Sequence, residues 1–383
     1  MYISSRFFGV SVFFLSMMAA SLPAQSEIVI GAVLSETGPG ASLGIPYKNA
    51  LAIQDMKIGN EKVRIVFLND NSDPTEAVKD VRKLVSDQKV DAIIGPTNTP
   101  QSLAVAQFAN ELKTPIFALA PIEIPENRKE WVYVVPQTVG LMIDGVVQDM
   151  QKRGVKTAAY IGFSDAWGEL VWKSFKNSAD KAGIRLVANE RYARTDTSVT
   201  AQIARIIAAK PDAVLGGGSG TPGALPHIEL GQRGYKGLEY DNHGSVNQDY
   251  LRVGGKYVEG VIAPTGPLVV DKQLPANYPL KQTGADFMRR YEARYGVGTA
   301  NPFAGYSNDA FLLIKVAATH ALKSAKPGTL KFRMALKDNL DKITKLDGTE
   351  ATYTITPSNH YGAQDNARVM VQVVNGKWSL ISE

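Results

Sequence analysis

"KVDAIIGPTNTPQSLA" (Lys89–Ala104) decides how this chain folds. The apolar run Ala92-Ile93-Ile94 has strand length and stops at Gly95-Pro96. Small polar residues follow, Thr97-Asn98-Thr99, and then a proline and a helix-like run. A buried strand that ends in glycine and hydroxyls and leads into a helix is a unit of a parallel α/β sheet. Further along, "KPDAVLGGGSGTPGAL" (Lys210–Leu225) says nearly the same thing. Each copy follows an amphipathic helical stretch, so the chain reads as two similar sheets.

The flanking sequence extends the pattern. "IVIGAVLSETGPG" is an apolar strand closed by turn residues, "GIPYKNALAIQDMK" a helix and "KVRIVFLND" a strand. Asp73-Pro74 opens the helix "TEAVKDVRKLVSDQ", while "PQSLAVAQFANELK" reads as a helix and "TPIFALAP" as a strand. After "EWVYVVPQTVG" the alternation resumes with "LMIDGVVQDMQKRG", "KTAAYIGF", "AWGELVWKSFKNSADKAG" and "IRLVANERY". Beyond "VEGVIAPTG" come three long helical stretches and two late strands, Ala351–Ile355 and Ala367–Val374. These are too few for a third sheet and are expected to complete the first two. The fold class expected is α/β, two Rossmann-like lobes, each a parallel sheet flanked by helices.

Composition narrows the function. The 383 residues are 44% hydrophobic and 21% charged, with a net charge of +5. No basic cluster with interleaved aromatics marks a nucleic-acid surface. The chain has no cysteine, which excludes thiol nucleophiles, zinc–thiolate sites and iron–sulfur clusters. Its four histidines, His227, His243, His320 and His360, lack metal-ligand spacing. No metal or cofactor is expected. Residues 1–26 have the layout of a cleaved signal peptide: Arg6, an uncharged run from Phe7 to Leu22, then Ala24 and Ser26 before a cut. An uncleaved anchor is the alternative, but the run is shorter than the ~20 residues of a membrane span.

Two motifs suggest enzymes. "GSGTPG" (Gly218–Gly223) matches a dinucleotide fingerprint, with Asp241 about 20 residues on, but it carries Pro222 inside the loop and stands outside the first βαβ unit. "GASLG" (Gly40–Gly44) matches a nucleophile elbow, but Ser42 lies several residues beyond its strand and no His–acid pair points to it. Binding fits better. Ligands of open parallel sheets sit beyond the carboxyl ends of the strands. Glycine there admits close approach, hydroxyls donate and accept, and helix N-termini favour a carboxylate. The phrase occurs twice because each lobe supplies one jaw.

"IVIGAVLSETGPGASLG", "VDAIIGPTNTPQSLAVAQFANELKTPIFALAP", "DAWGE" and "YVEGVIAPTGP" together resemble the periplasmic leucine/isoleucine/valine-binding protein family, over essentially the whole chain after residue 26. The resemblance implies a non-enzymatic, monomeric, periplasmic receptor of an ABC importer, with permease subunits and cytoplasmic ATPases as partners. A periplasmic sensor on the same fold is the alternative class. It also implies two lobes, 27–138 plus 266–348 and 139–265 plus 349–383. Three crossings are placed near Pro136–Gly140, Ala263–Leu268 and Leu346–Ala351.

Carried over by position, the implied ligand contacts are Leu43, Asn98, Thr99, Ala120 and Ile122 in the first lobe. Trp167, Ser219, Gly220 and His243 follow in the second, and then Tyr306 or Asn308 near "GYSNDAF". Each has an ordinary alternative: Thr99 as a helix cap, Trp167 as lobe packing, Ser219 as a turn residue, His243 as a solvated loop residue. His243 stands where amino-acid binders carry an acid, and Ile122 stands where the family has a hydroxyl. The expected ligand is therefore a small carboxylate, aromatic or otherwise apolar. A branched-chain amino acid is the runner-up, with Asp241 or Glu123 as substitute acid.

Overall fold

The computed structural model describes residues 2, 27–124 and 130–381. Apart from Tyr2, the expected signal peptide lies outside the described residues. The first sheet holds β1 (Glu27–Leu34), β2 (Lys57–Ile58), β3 (Glu61–Asn69), β4 (Ala92–Ile94), β5 (Ile116–Ala118) and β6 (Val132–Val134), in the order 2-3-1-4-5-6. The second holds β7 (Thr157–Phe163), β8 (Arg185–Tyr192), β9 (Ala213–Gly217), β10 (Leu238–Tyr240) and β11 (Ile262–Thr265). A small ribbon pairs β12 (Leu346–Asp347) with β13 (Thr352–Tyr353). The hairpin β14 (Val369–Val374) and β15 (Lys377–Leu380) joins the second sheet, giving the order 15-14-11-10-9-7-8.

Strands 1 and 3–6, and likewise 7–11, are parallel; β2, β14 and β15 add antiparallel edges. In each sheet the order reverses direction beside the first strand, at β1/β4 and at β7/β9. Such switch points open a crevice at the strands' carboxyl ends.

Helices cover both faces. The first lobe carries α1 (Ala41–Ala52), α2 (Pro74–Ser86), α3 (Thr99–Ala106) and α4 (Ala109–Leu112). The second carries α5 (Val139–Lys152), α6 (Ala166–Ala182), α7 (Thr200–Ala208), α8 (Leu225–Gln232) and α9 (Gln248–Gly254). The chain then returns for α10 (Lys281–Tyr295), α11 (Pro302–Ala321) and α12 (Leu330–Leu340). Each sheet is packed with apolar clusters on both faces. No described helix is long and apolar enough to cross a membrane.

The repeated phrase is a structural repeat. Lys89 and Lys210 both take the left-handed conformation, at φ 52° and 48°. Asp91 then accepts the Val29 N–H, and Asp212 accepts the Lys156 and Thr157 N–H groups. In each lobe this aspartate ties the start of its strand to the start of the neighbouring one. Gly95 has φ 109°, and a Cβ there would collide with the Val33 carbonyl. Only glycine ends this strand so close to β1.

Residues 351–367 differ from expectation. Ala351, Tyr353, Ile355 and Ala367 enter the first lobe's core, and only β14 and β15 join the second sheet. Asp309 of α11 explains why. Its carboxylate accepts the Thr349 and Glu350 N–H groups and the Tyr353 hydroxyl. The turn-rich stretch near Gly348 is therefore clamped inside the first lobe, and the chain crosses later, between Ala367 and Val369. Nearby, the Glu350 side chain is fully buried between Gly266 and Gly305, where a Cβ on either glycine would collide with its carboxyl oxygens.

Candidate functional site

A cavity with about 350 Å³ of empty space lies between the lobes. It is built mainly from residues that follow the carboxyl ends of strands. Thr97, Asn98 and Thr99 come after β4, Leu119, Ala120 and Pro121 after β5, and Pro136 after β6. Leu43 and Tyr47 of α1, with Phe303 and Tyr306 of α11, complete the first lobe's wall. From the second lobe come Trp167 after β7, Arg194 after β8, Ser219 after β9, and His243 and Gly244 after β10.

Local bonds fix these groups. Thr97 Oγ1 accepts the Ser35 N–H, and the Thr99 hydroxyl donates to the Pro121 carbonyl at 2.9 Å, tying two strand-end loops together. Asn98 Nδ2 donates to Ser35 Oγ, which leaves its buried Oδ1 without a partner. Asp165 caps α6 through the Trp167 and Gly168 N–H groups and pairs with the Arg194 guanidinium. Arg194 also donates from Nη1 to Ser219 Oγ at 3.0 Å and lies 4.3 Å from the centre of the Phe163 ring. Trp167 Nε1 donates to the Gly218 carbonyl at 2.8 Å.

His243 is 3% exposed, and neither ring nitrogen has a hydrogen-bond partner among the described residues. Burial pushes its imidazole down to about 3, so it is neutral near pH 7. A neutral imidazole offers one donor and one acceptor.

The lobes touch around the cavity. The Thr221 N–H donates to Ser42 Oγ at 3.2 Å, and Lys173 pairs with Glu123 at 2.8 Å. Ser42, the serine of the G-x-S-x-G match, is thus a helical residue at the lobe contact.

Three expected contacts lie elsewhere. Ile122 packs in the first lobe's apolar core, and its N–H and carbonyl are both bonded to the Tyr361 hydroxyl, so neither is free for a ligand. Gly220 lies against Ser42 and Leu43 at the lobe contact, where its φ of 60° and the lack of room for a Cβ suit glycine. Asn308 faces away and accepts from Gln54 at 3.0 Å. Two residues along a helix turn roughly 200°, so Tyr306 and Asn308 cannot both face the cavity. The two candidate acids also point away: Asp241 is bound by His227, and Glu123 by Lys173.

Arg194, Tyr47, Thr97 and Phe303 were not expected. Arg194 and Thr97 follow strand ends, as Ser219 does, and that position is a signal that could have found them. The two rings sit within helices, where sequence shows only an apolar position.

The family model described as periplasmic binding protein matches residues 27–377. The chain belongs to the periplasmic binding protein family. The crystal structure of an extracellular ligand-binding receptor from Rhodopseudomonas palustris HaA2 is similar, with a TM-score of 0.91 and 38% identity, covering 93% of this chain and 100% of that one. A Leu/Ile/Val-binding protein homolog 7 of Brucella abortus is 23% identical over 328 residues, 79% of this chain and 78% of its own. An amino acid binding protein of Pseudomonas aeruginosa is 24% identical over 282 residues, 67% of this chain and 74% of its own. The family's proteins are solute receptors, and its two-lobed α/β fold is the one described above.

Proposed function

We propose that this periplasmic binding protein captures a small carboxylate with an aromatic or other apolar body. It closes two lobes on that ligand in the periplasm and presents it to an ABC permease in the inner membrane. One observation carries this reading. Among the described residues the cavity wall holds a guanidinium, a neutral imidazole and the rings of Tyr47, Trp167, Phe303 and Tyr306, but no aspartate or glutamate. A closed site that buries an α-ammonium without an anion leaves a charge uncompensated, at a cost of several kcal/mol. A carboxylate is served by Arg194 and His243, and a ring by Trp167.

A branched-chain amino acid is the second reading, favoured by the unpartnered Asn98 Oδ1, an acceptor for an ammonium. Calorimetric titration separates the two. Benzoate-like or phenylpropanoid acids are expected to bind with leucine and valine silent; micromolar leucine or valine with the aromatic acids silent would overturn the reading.

A further inference from the structure

A buried charge cluster underlies the second lobe's half of the cavity. His227 of α8 is fully buried. Its Nδ1 stands 2.7 Å from Glu239 Oε2 and its Nε2 3.1 Å from Asp241 Oδ2. A neutral imidazole has one acceptor nitrogen, which would face a carboxylate oxygen in either tautomer. Protonation at both nitrogens satisfies both contacts. Burial opposes that charge, but the two carboxylates prevail and raise His227 to about 10. Tyr250 of α9, also titratable, packs against it, its ring 6.2 Å away.

Asp241 carries the arrangement onward. Its Oδ1 accepts from the Asn242 N–H at 2.7 Å and from Asn242 Nδ2 at 3.0 Å. Asn242 Nδ2 also reaches the Gly216 and Gly218 carbonyls, and its Oδ1 accepts the Gly244 N–H. The Gly218 carbonyl is the one that holds the Trp167 indole, and the Gly244 carbonyl accepts the Gly220 N–H.

We propose that His227 is a positioning residue for the ligand-facing loop of the second lobe, acting through Asp241 and Asn242 on His243 and Trp167. In doing so it also binds Asp241, the acid next in sequence to that loop, and keeps it away from the cavity. The inference rests on the reading of Trp167 and His243 as ligand contacts, but its test needs no ligand. It therefore stands or falls separately from the titration above.

The protein labelled with ¹⁵N at histidine and tryptophan gives resolvable side-chain spectra, with four of each residue. At pH 7.5 both His227 ring nitrogens are expected to be protonated. His227→Gln should move the Trp167 indole N–H and the His243 ring resonances by more than a linewidth. Glu239→Gln, which removes the other carboxylate but leaves the path through Asp241, should leave them in place. If His227→Gln does not fold, Asp241→Asn takes its role and should move the same resonances. A neutral His227, unmoved loop resonances in the His227 or Asp241 variant, or equal shifts from Glu239→Gln would overturn the proposal. Equal shifts would mark His227 as ordinary packing.

Discussion

Trp167 and His243 meet edge to face, with ring centroids 5.3 Å apart and an interplanar angle of 81°. They come from different strand ends and form one corner of the cavity. The indole N–H is already spent on Gly218, so Trp167 offers a ligand its face and edge. The imidazole nitrogens have no partner among the described residues.

Trp167 should therefore act through its ring. Trp167→Ala is expected to weaken the best carboxylate from the titration by about 1–3 kcal/mol, through lost stacking and burial. Trp167→Phe keeps a ring and should cost less, since the Gly218 carbonyl retains its bond from Asn242. Calorimetry on the two variants checks the order; equal losses would point to the indole N–H instead.

Arg194 is the one cation that lines the cavity among the described residues. Arg194→Gln should lower carboxylate affinity by roughly 1.5–3 kcal/mol, the range for hydrogen bonds to charged groups. Arg194→Lys should restore only part, because a point charge cannot serve Asp165, Ser219 and a ligand as the planar fork does. Wild-type affinity in the glutamine variant would remove Arg194 from the ligand's surroundings.

Closure should depend on Gly220. A side chain there meets Ser42 Oγ at 2.7 Å and Leu43 Cδ1 at 2.8 Å, across the lobe contact. Gly220→Val is expected to wedge the lobes apart while both cores stay folded. X-ray scattering should show wild type contracting on ligand and the variant contracting less; equal contraction would refute the wedge.

The two buried histidines of the second lobe predict opposite pH limbs. An unfolded histidine titrates near 6.5. His243, held down to about 3, contributes its full share of stability above about pH 6.5 and loses it as pH falls toward 3. His227, held up to about 10, contributes fully below about pH 6.5 and loses it as pH rises toward 10. Melting temperatures from pH 4.5 to 9.5 should show His243→Asn flattening the acid limb alone. A variant with the wild-type acid slope would count against the buried neutral ring.

The strand–helix alternation was legible because apolar runs closed by glycine have a length and period that sequence displays. The family resemblance implied Asn98, Thr99, Ala120, Trp167, Ser219 and His243, all of which follow strand ends and line the cavity. Arg194 also follows a strand end, but the resemblance did not name it. In "ERYARTD" that residue reads as a solvated charge, and only its pairing with Asp165, 29 residues away, turns it inward. Residues 351–367 were misplaced for a similar reason: the clamp is Asp309, more than 40 positions upstream. Asn308 was left open against Tyr306 because helical phase fixes their separation but not which one faces in.

Glu350 and its two glycines bear on how this chain can change by descent. The acid fills the space that a side chain at position 266 or 305 would need. A larger residue at either position is viable only after the acid has been shortened, and a shortened acid leaves a hole until a glycine has grown. The three positions are therefore locked into an order of replacement. Relatives in which position 305 bears a side chain should also have lost the long acid at 350.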